Sequence, residues 1–238
     1  MRANFLRLLA LLLVAVPVTA AAADTRPRVG LVLSGGGARG AAHVGVLKVL
    51  EEMRVPIDAI AGTSMGAVVG GLYASGLSAE EIDATLRAVN WEELLGDRPP
   101  RDDLAFRRKE EDRNFLVRLP LGLHGGEFRL PKGLVQGQRL NELLRKLTLP
   151  VATVHNFDAL PTRFRAIATD LESGERVVIA SGDLTTAMRA SLSVPGVFVP
   201  VEREGRLLVD GGLADNLPVD VARAMGVRSR RLGLRLGR

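Results

Sequence analysis

The 238-residue chain contains no cysteine. That rules out disulfides, thiolate metal sites and lipid attachment at a cysteine, so nothing staples the fold covalently. Aromatic residues are scarce, with one tryptophan, one tyrosine and seven phenylalanines. A nucleic-acid binder is expected to show stacking aromatics and a basic folded surface. The formal charge of +5 does not supply that surface. Residues 1–23 hold two arginines and no acid, and residues 227–238 hold five arginines and no acid, which leaves −2 for residues 24–226. The basic character belongs to the ends, and no nucleic-acid partner is expected. Histidine is rarer still, with three residues, which narrows the choice of a general base.

After the first 23 residues no run is long and apolar enough to cross a membrane. Within them, Arg2 and Arg7 lead an apolar stretch from Leu8 to Val18 and small residues from Thr19 to Ala23. This is the pattern of a secretory signal peptide, shorter than the roughly 20 apolar residues a membrane span requires. The expectation is an exported protein: periplasmic, outer-membrane-associated or secreted. About 215 residues then remain, enough for one well-buried domain. Residues 24–226 read as that domain. Residues 227–238 (VRSRRLGLRLGR) read as a basic tail where an apolar strand is expected, either a non-native or truncated end or a genuine solvated or anionic-lipid-binding tail.

The periodicity alternates between strand and helix. Arg28–Ser34 and Ile57–Ala61 read as buried strands. Between them Ala42, Val46, Val49, Leu50 and Met53 recur at helical spacing. Met65–Ser75 reads as a small-residue helix, and Ser78 with Glu81 forms a capping-box pattern at the start of another. Further on come helices at Gln138–Leu147, Asp183–Leu192 and 216–226, and strands at Arg163–Thr169, Arg176–Ala180 and Leu207–Val209. The class is α/β, a parallel sheet covered by helices. Residues 96–135 break the pattern with clustered charges from Arg101 to Arg113 and glycines at 122, 125, 126 and 133. They read as a mobile insertion, a candidate lid or substrate-facing flap.

Three pieces fall where parallel strands should end, the usual place for sites in open α/β sheets. Gly35-Gly36-Gly37-Ala38-Arg39-Gly40 joins a strand to a helix, where backbone N–H groups and a helix N-terminus can meet an anion. Gly62-Thr63-Ser64-Met65-Gly66 is a GxSxG run at a strand-to-helix turn, which presents a serine hydroxyl at the sheet end. Asp210 leaves a strand into Gly211 and Gly212. A serine needs a base to become a nucleophile. His43 lies in a helix, His124 in the insertion and His155 in a loop, none where a triad base is expected. A Ser64–Asp210 dyad fits better. Asp170, Asp183 and Asp215 read as caps, turn residues or surface charges.

Taken together, the glycine loop, the GTSMG turn, the segment from Ala190 to Pro200 (ASLSVPGVFVP) and Asp210-Gly211-Gly212 with Asp215-Asn216-Leu217-Pro218 resemble a bacterial patatin-like phospholipase. The resemblance covers residues 28–221. It implies a three-layer α/β/α fold with a mostly parallel central sheet, and cofactor-free, metal-independent hydrolysis of acyl esters in phospholipids or other lipids at a membrane surface. It also implies roles: Ser64 as nucleophile, Asp210 as base, and Gly35, Gly36 and Gly37 as the oxyanion hole with Arg39 alongside. Two alternatives come from other classes. Gly35-x-Gly37-x-x-Gly40 with Asp58 downstream matches a dinucleotide-binding fingerprint, although Asp58 starts the second strand rather than ending it. A catalytically idle lipid-binding module could keep the same fold. Acyl transfer to an alcohol is the nearby chemical variant.

Overall fold

The computed structural model describes residues 26–91, 94 and 137–227, with the backbone of 122–124 and 127–129. The signal-like segment, residues 228–238 and the rest of the insertion lie outside the described residues. The chain runs β1 (Gly30–Leu33), a 3-10 turn, α1 (Ala42–Glu52), β2 (Ala59–Thr63), α2 (Met65–Ala74) and α3 (Ala79–Ala88). A short hairpin of β3 (Gly122–His124) and β4 (Glu127–Arg129) follows, then α4 (Gln138–Leu147), β5 (Arg163–Asp170), β6 (Arg176–Ile179) and α5 (Leu184–Ser191). The order ends with β7 (Val201–Arg203), β8 (Arg206–Asp210) and α6 (Val219–Ala224). The hairpin departs from the irregular insertion expected there, and β7 was not legible at all. Among the described residues no helix is long and apolar enough to cross a membrane.

The main sheet has the order β1-β2-β5-β8-β7, with β6 also on β5. β1, β2 and β5 are parallel, whereas β6 and β8 run antiparallel to β5, and β7 antiparallel to β8. Four strands (β1, β2, β5 and β7) therefore point one way and two the other. β2 (AIAGT) is buried along its whole length, as a strand covered on both faces must be. Its side chains divide between two cores. Ile60 joins Phe164, Ala166 and Met188 beneath α1 to α5, while Ala59, Ala61 and Ile167 meet Val221, Ala222 and Met225 of the α6 segment. These are the three α/β/α layers. Val227, the first residue of the stretch read as a basic tail, is buried in the second core.

Two expectations need correcting. In α1 the buried residues are Val44 and Leu47, whereas Val46, Val49 and Met53 are 48%, 51% and 67% exposed. Two apolar stripes of equal spacing compete in this helix. Gly40 settles the choice, because it lies so close to Met65 that a Cβ there would fall 2.3 Å from Met65 Cγ. The face continuing from Gly40 through Val44 and Leu47 is therefore the one turned inward. The second correction concerns β8, which does not end alongside parallel strands. β5 pairs with β2 through residues 163–167 and with β8 through 168–170. β6 occupies the other edge of β5. So β2 and β8 share one edge, approach from opposite ends, and meet where Thr63 pairs with Ile167 and Asp210 with Ala168.

Candidate active site

That head-to-head meeting places Ser64 beside Asp210. Ser64 follows β2 with φ 54 and ψ −124, a conformation that a residue with a Cβ adopts only under strain. It is also the N-cap of α2, a position where a serine hydroxyl normally accepts a helix N–H. Here the hydroxyl makes no such cap. Ser64 Oγ instead donates to Asp210 Oδ2 at 2.5 Å. The capping contribution is given up for a side-chain contact between residues 146 positions apart.

The turn is tight enough to dictate its glycines. A Cβ on Gly66 would lie 2.3 Å from the carbonyl oxygen of Leu33, and one on Gly62 would lie 2.5 Å from the carbonyl oxygen of Gly66. Both obstacles are backbone, which cannot swing aside. Gly66→Ala is therefore expected to cost about 3 kcal/mol, lowering the melting temperature by roughly 6–12 °C in a domain of this size. A thermal melt of the purified variant checks this, and a shift below a degree would mean that the turn relaxes.

Asp210 is buried at 7% exposure and held on four sides. Its N–H donates to the Ser193 carbonyl at 2.8 Å. Its carbonyl accepts from Thr169 Oγ1 at 2.9 Å, and its Oδ1 accepts the Gly212 N–H at 2.7 Å. Oδ2 is left for Ser64. Burial pushes the carboxyl above the ordinary aspartate range, while the bonds from Ser64 and Gly212 pull it back. Gly211 passes so close to β5 that a Cβ would meet the Ile167 carbonyl.

The glycine loop that follows β1 splits in function. Gly35 donates its N–H to Asn216 Oδ1 at 3.0 Å, which removes it from the donors expected to meet a ligand. Gly36, Gly37 and Arg39 are exposed, and the N–H groups of Gly36 and Gly37 have no partner among the described residues. The loop after Asp210 is tied down as well. Thr63 Oγ1 donates to the Asp215 carbonyl at 2.9 Å, and Arg176 donates to Asp215 Oδ2 at 2.6 Å and to Asp220. Asp183 caps α5, and Asp170 accepts backbone N–H groups from its own turn. His43 bonds the Ser34 carbonyl at 2.8 Å. Among the described residues no histidine bonds Ser64 or Asp210.

The dinucleotide alternative loses its acid. Asp58 sits at the N-terminal end of β2, away from the glycine loop's end of the sheet. It pairs with Arg26 at 2.6 Å and accepts the Val29 N–H at 2.7 Å. Those bonds hold its carboxyl below the ordinary range. Asn216, Ser191 and Ser193 lie in motifs that give them no role by sequence alone. Their function depends on which backbone groups they reach across the fold, and spacing does not report that.

A solved structure, that of VipD from Legionella pneumophila, shares the fold at a TM-score of 0.52 and 19% identity, covering 81% of this chain and 47% of that one. An uncharacterised NTE family protein of Mycobacterium tuberculosis is 37% identical over 196 residues, which is 82% of this chain and 46% of that protein. Patatin-like phospholipase domain-containing protein 7 of Rattus norvegicus is 33% identical over 202 residues, 84% of this chain and 13% of that protein. The chain thus spans about half or less of the curated relatives it matches. The profile described as patatin-like phospholipase matches residues 31–223, and the chain belongs to that family.

Proposed function

We propose that this chain is a lipid acyl ester hydrolase of the phospholipase A or lysophospholipase type, with Ser64 as nucleophile and Asp210 as its base. The observation that carries the reading is the 2.5 Å bond from Ser64 Oγ to Asp210 Oδ2, made by a serine held in a strained strand-to-helix turn. Family membership supports the lipid substrate class. As Ser64 Oγ attacks the ester carbonyl, its proton passes to Asp210 and the carbonyl electrons move onto oxygen. The N–H groups of the exposed Gly36 and Gly37, without a partner among the described residues, are the donors assigned to that oxyanion in this reading, a contribution typically worth about 3 kcal/mol per donor. Arg39 adds a positive charge beside them. Collapse expels the alcohol, which takes the proton from Asp210 and leaves an acyl group on Ser64. Water, giving its proton to Asp210, then releases the fatty acid, and the proton returns to Ser64. The carboxylate is a stronger base for its burial, which is what a direct aspartate base requires.

The test is intact mass after exposure to a fluorophosphonate, alongside fatty-acid release from phosphatidylcholine vesicles. One adduct on the wild type, absent from Ser64→Ala, together with fatty-acid release, is the expected result. A folded protein that takes no adduct would sink the reading. The same spectrum reports export processing, because cleavage after Ala23 removes the signal-like segment that points to a periplasmic, outer-membrane-associated or secreted protein.

A further inference from the structure

The segment from Ala190 to Pro200 stands out in the sequence without a chemical task, and its serines supply one. Ser191 ends α5 and is completely buried. Its Oγ makes two bonds that both leave its own helix. It accepts the backbone N–H of Ser64 at 2.8 Å, and it donates to the carbonyl of Ile167 in β5. Ile167 is the β5 residue paired with Thr63, next to the point where β2 and β8 meet. Two residues further on, the Ser193 carbonyl accepts the backbone N–H of Asp210 at 2.8 Å. Ser193 is itself fixed, since its Oγ accepts from Arg189 Nη1 at 2.7 Å and donates to the Arg189 carbonyl at 2.8 Å. One three-residue span thus grips the backbone of both members of the dyad.

The physical need lies at Ser64. Its φ of 54 persists only if the surroundings over-determine it. Its N–H lies at the start of α2, where no intrahelical acceptor is available, and it is buried. Ser191 Oγ supplies the missing acceptor and anchors it to β5. An alanine would leave the Ser64 N–H without that acceptor and free the turn to drift from Asp210.

We propose that Ser191 is a positioning residue: its hydroxyl locks the Ser64 backbone to β5 while Ser193 locks Asp210, and together they set the Ser64–Asp210 contact. This rests on the hydrolase reading above. It is tested by active-site titration of the full chain with a fluorophosphonate, comparing wild type, Ser191→Ala and the near-isosteric Ser191→Cys. The amplitude counts molecules with an assembled site, and the rate constant at saturating probe reports the alignment of the nucleophile. For Ser191→Ala the amplitude should hold while the rate constant falls about 10- to 100-fold. Ser191→Cys should fall less, because its thiol keeps a donor and an acceptor, both weak, where alanine has neither. In ester hydrolysis kcat should drop in parallel, with KM changing by less than about threefold. A wild-type rate constant with reduced amplitude or a lowered melting temperature would make Ser191 a purely structural residue and overturn the proposal. If Ser191→Ala does not fold, Ser191→Cys decides on the same two quantities. Failure of the folded wild type to label overturns the hydrolase reading and this role together. Normal labelling of wild type and variants alike overturns this role alone.

Discussion

Replacing Ser64 by glycine is expected to give a folded protein that hydrolyses no ester and melts above the corresponding alanine variant. Both substitutions remove the nucleophile, so turnover should fall by about 10^5-fold or more. They differ in what they do to the turn. Ser64 holds φ 54 and ψ −124, a strained region that costs a residue with a Cβ about 1–3 kcal/mol. Ser64→Ala keeps the Cβ and the strain. Ser64→Gly removes both, against an entropic cost of about 0.5–1 kcal/mol from its freer unfolded chain. The net advantage of glycine over alanine is about 1 kcal/mol, or roughly 2–4 °C in a domain of this size. Paired thermal melts and vesicle assays read both quantities. Equal melting temperatures would mean that the turn stores no strain, and residual lipolysis in either variant would remove Ser64 as nucleophile.

The two members of the site differed in how far they could be read from sequence. The place of Ser64 was legible because the GxSxG spacing that marks its strand-to-helix turn lies within five consecutive residues. Gly62 is forced by the backbone of Gly66 and Ala67 within the same turn, Gly66 by the carbonyl of Leu33 at the end of β1, and the helix behind them is continuous with the turn. Asp210 was legible as a residue but not as a geometry. Its place depends on β5 running past the end of β2, so that an antiparallel β8 can use the remaining edge. No spacing in the sequence encodes that overshoot. The same limit explains α1, where Val46, Val49 and Met53 repeat as well as the buried Val44 and Leu47 do. Only the approach of Met65 to Gly40 separates the two faces. Gly35, Gly36 and Gly37 look alike in sequence, so spacing alone groups all three as donors. The side chain of Asn216, 181 residues away, sets Gly35 apart. Local backbone necessity leaves a signature in one sequence, whereas contacts across the fold leave a residue type without its reason.

Asp210→Asn should lose about 10^3- to 10^4-fold in kcat while matching or exceeding the wild-type melting temperature at pH 7. The activity loss follows from replacing the proton acceptor by an amide of the same shape. The stability gain follows from the raised carboxyl. An acid that holds its proton more tightly in the folded state contributes stability below its unfolded pKa and loses that contribution as pH rises through the folded one. Burial raises Asp210 above its ordinary 3.8, more than the bonds from Ser64 and Gly212 lower it. At neutral pH the ionised carboxylate is therefore a net burden on the fold, and the neutral amide removes it. The advantage of the variant should shrink as pH falls through the window between the raised value and 3.8. Across the same window wild-type kcat/KM should climb with pH, because only the ionised carboxylate can take the Ser64 proton. Melts of both proteins from pH 4 to 8, set beside the wild-type pH–rate profile, test the two claims on one group. A variant that melts well below wild type at pH 7 would mean that the Ser64 and Gly212 bonds outweigh burial. The base would then sit low and ionised throughout, and the acid limb of the rate profile would move below 3.8 with it.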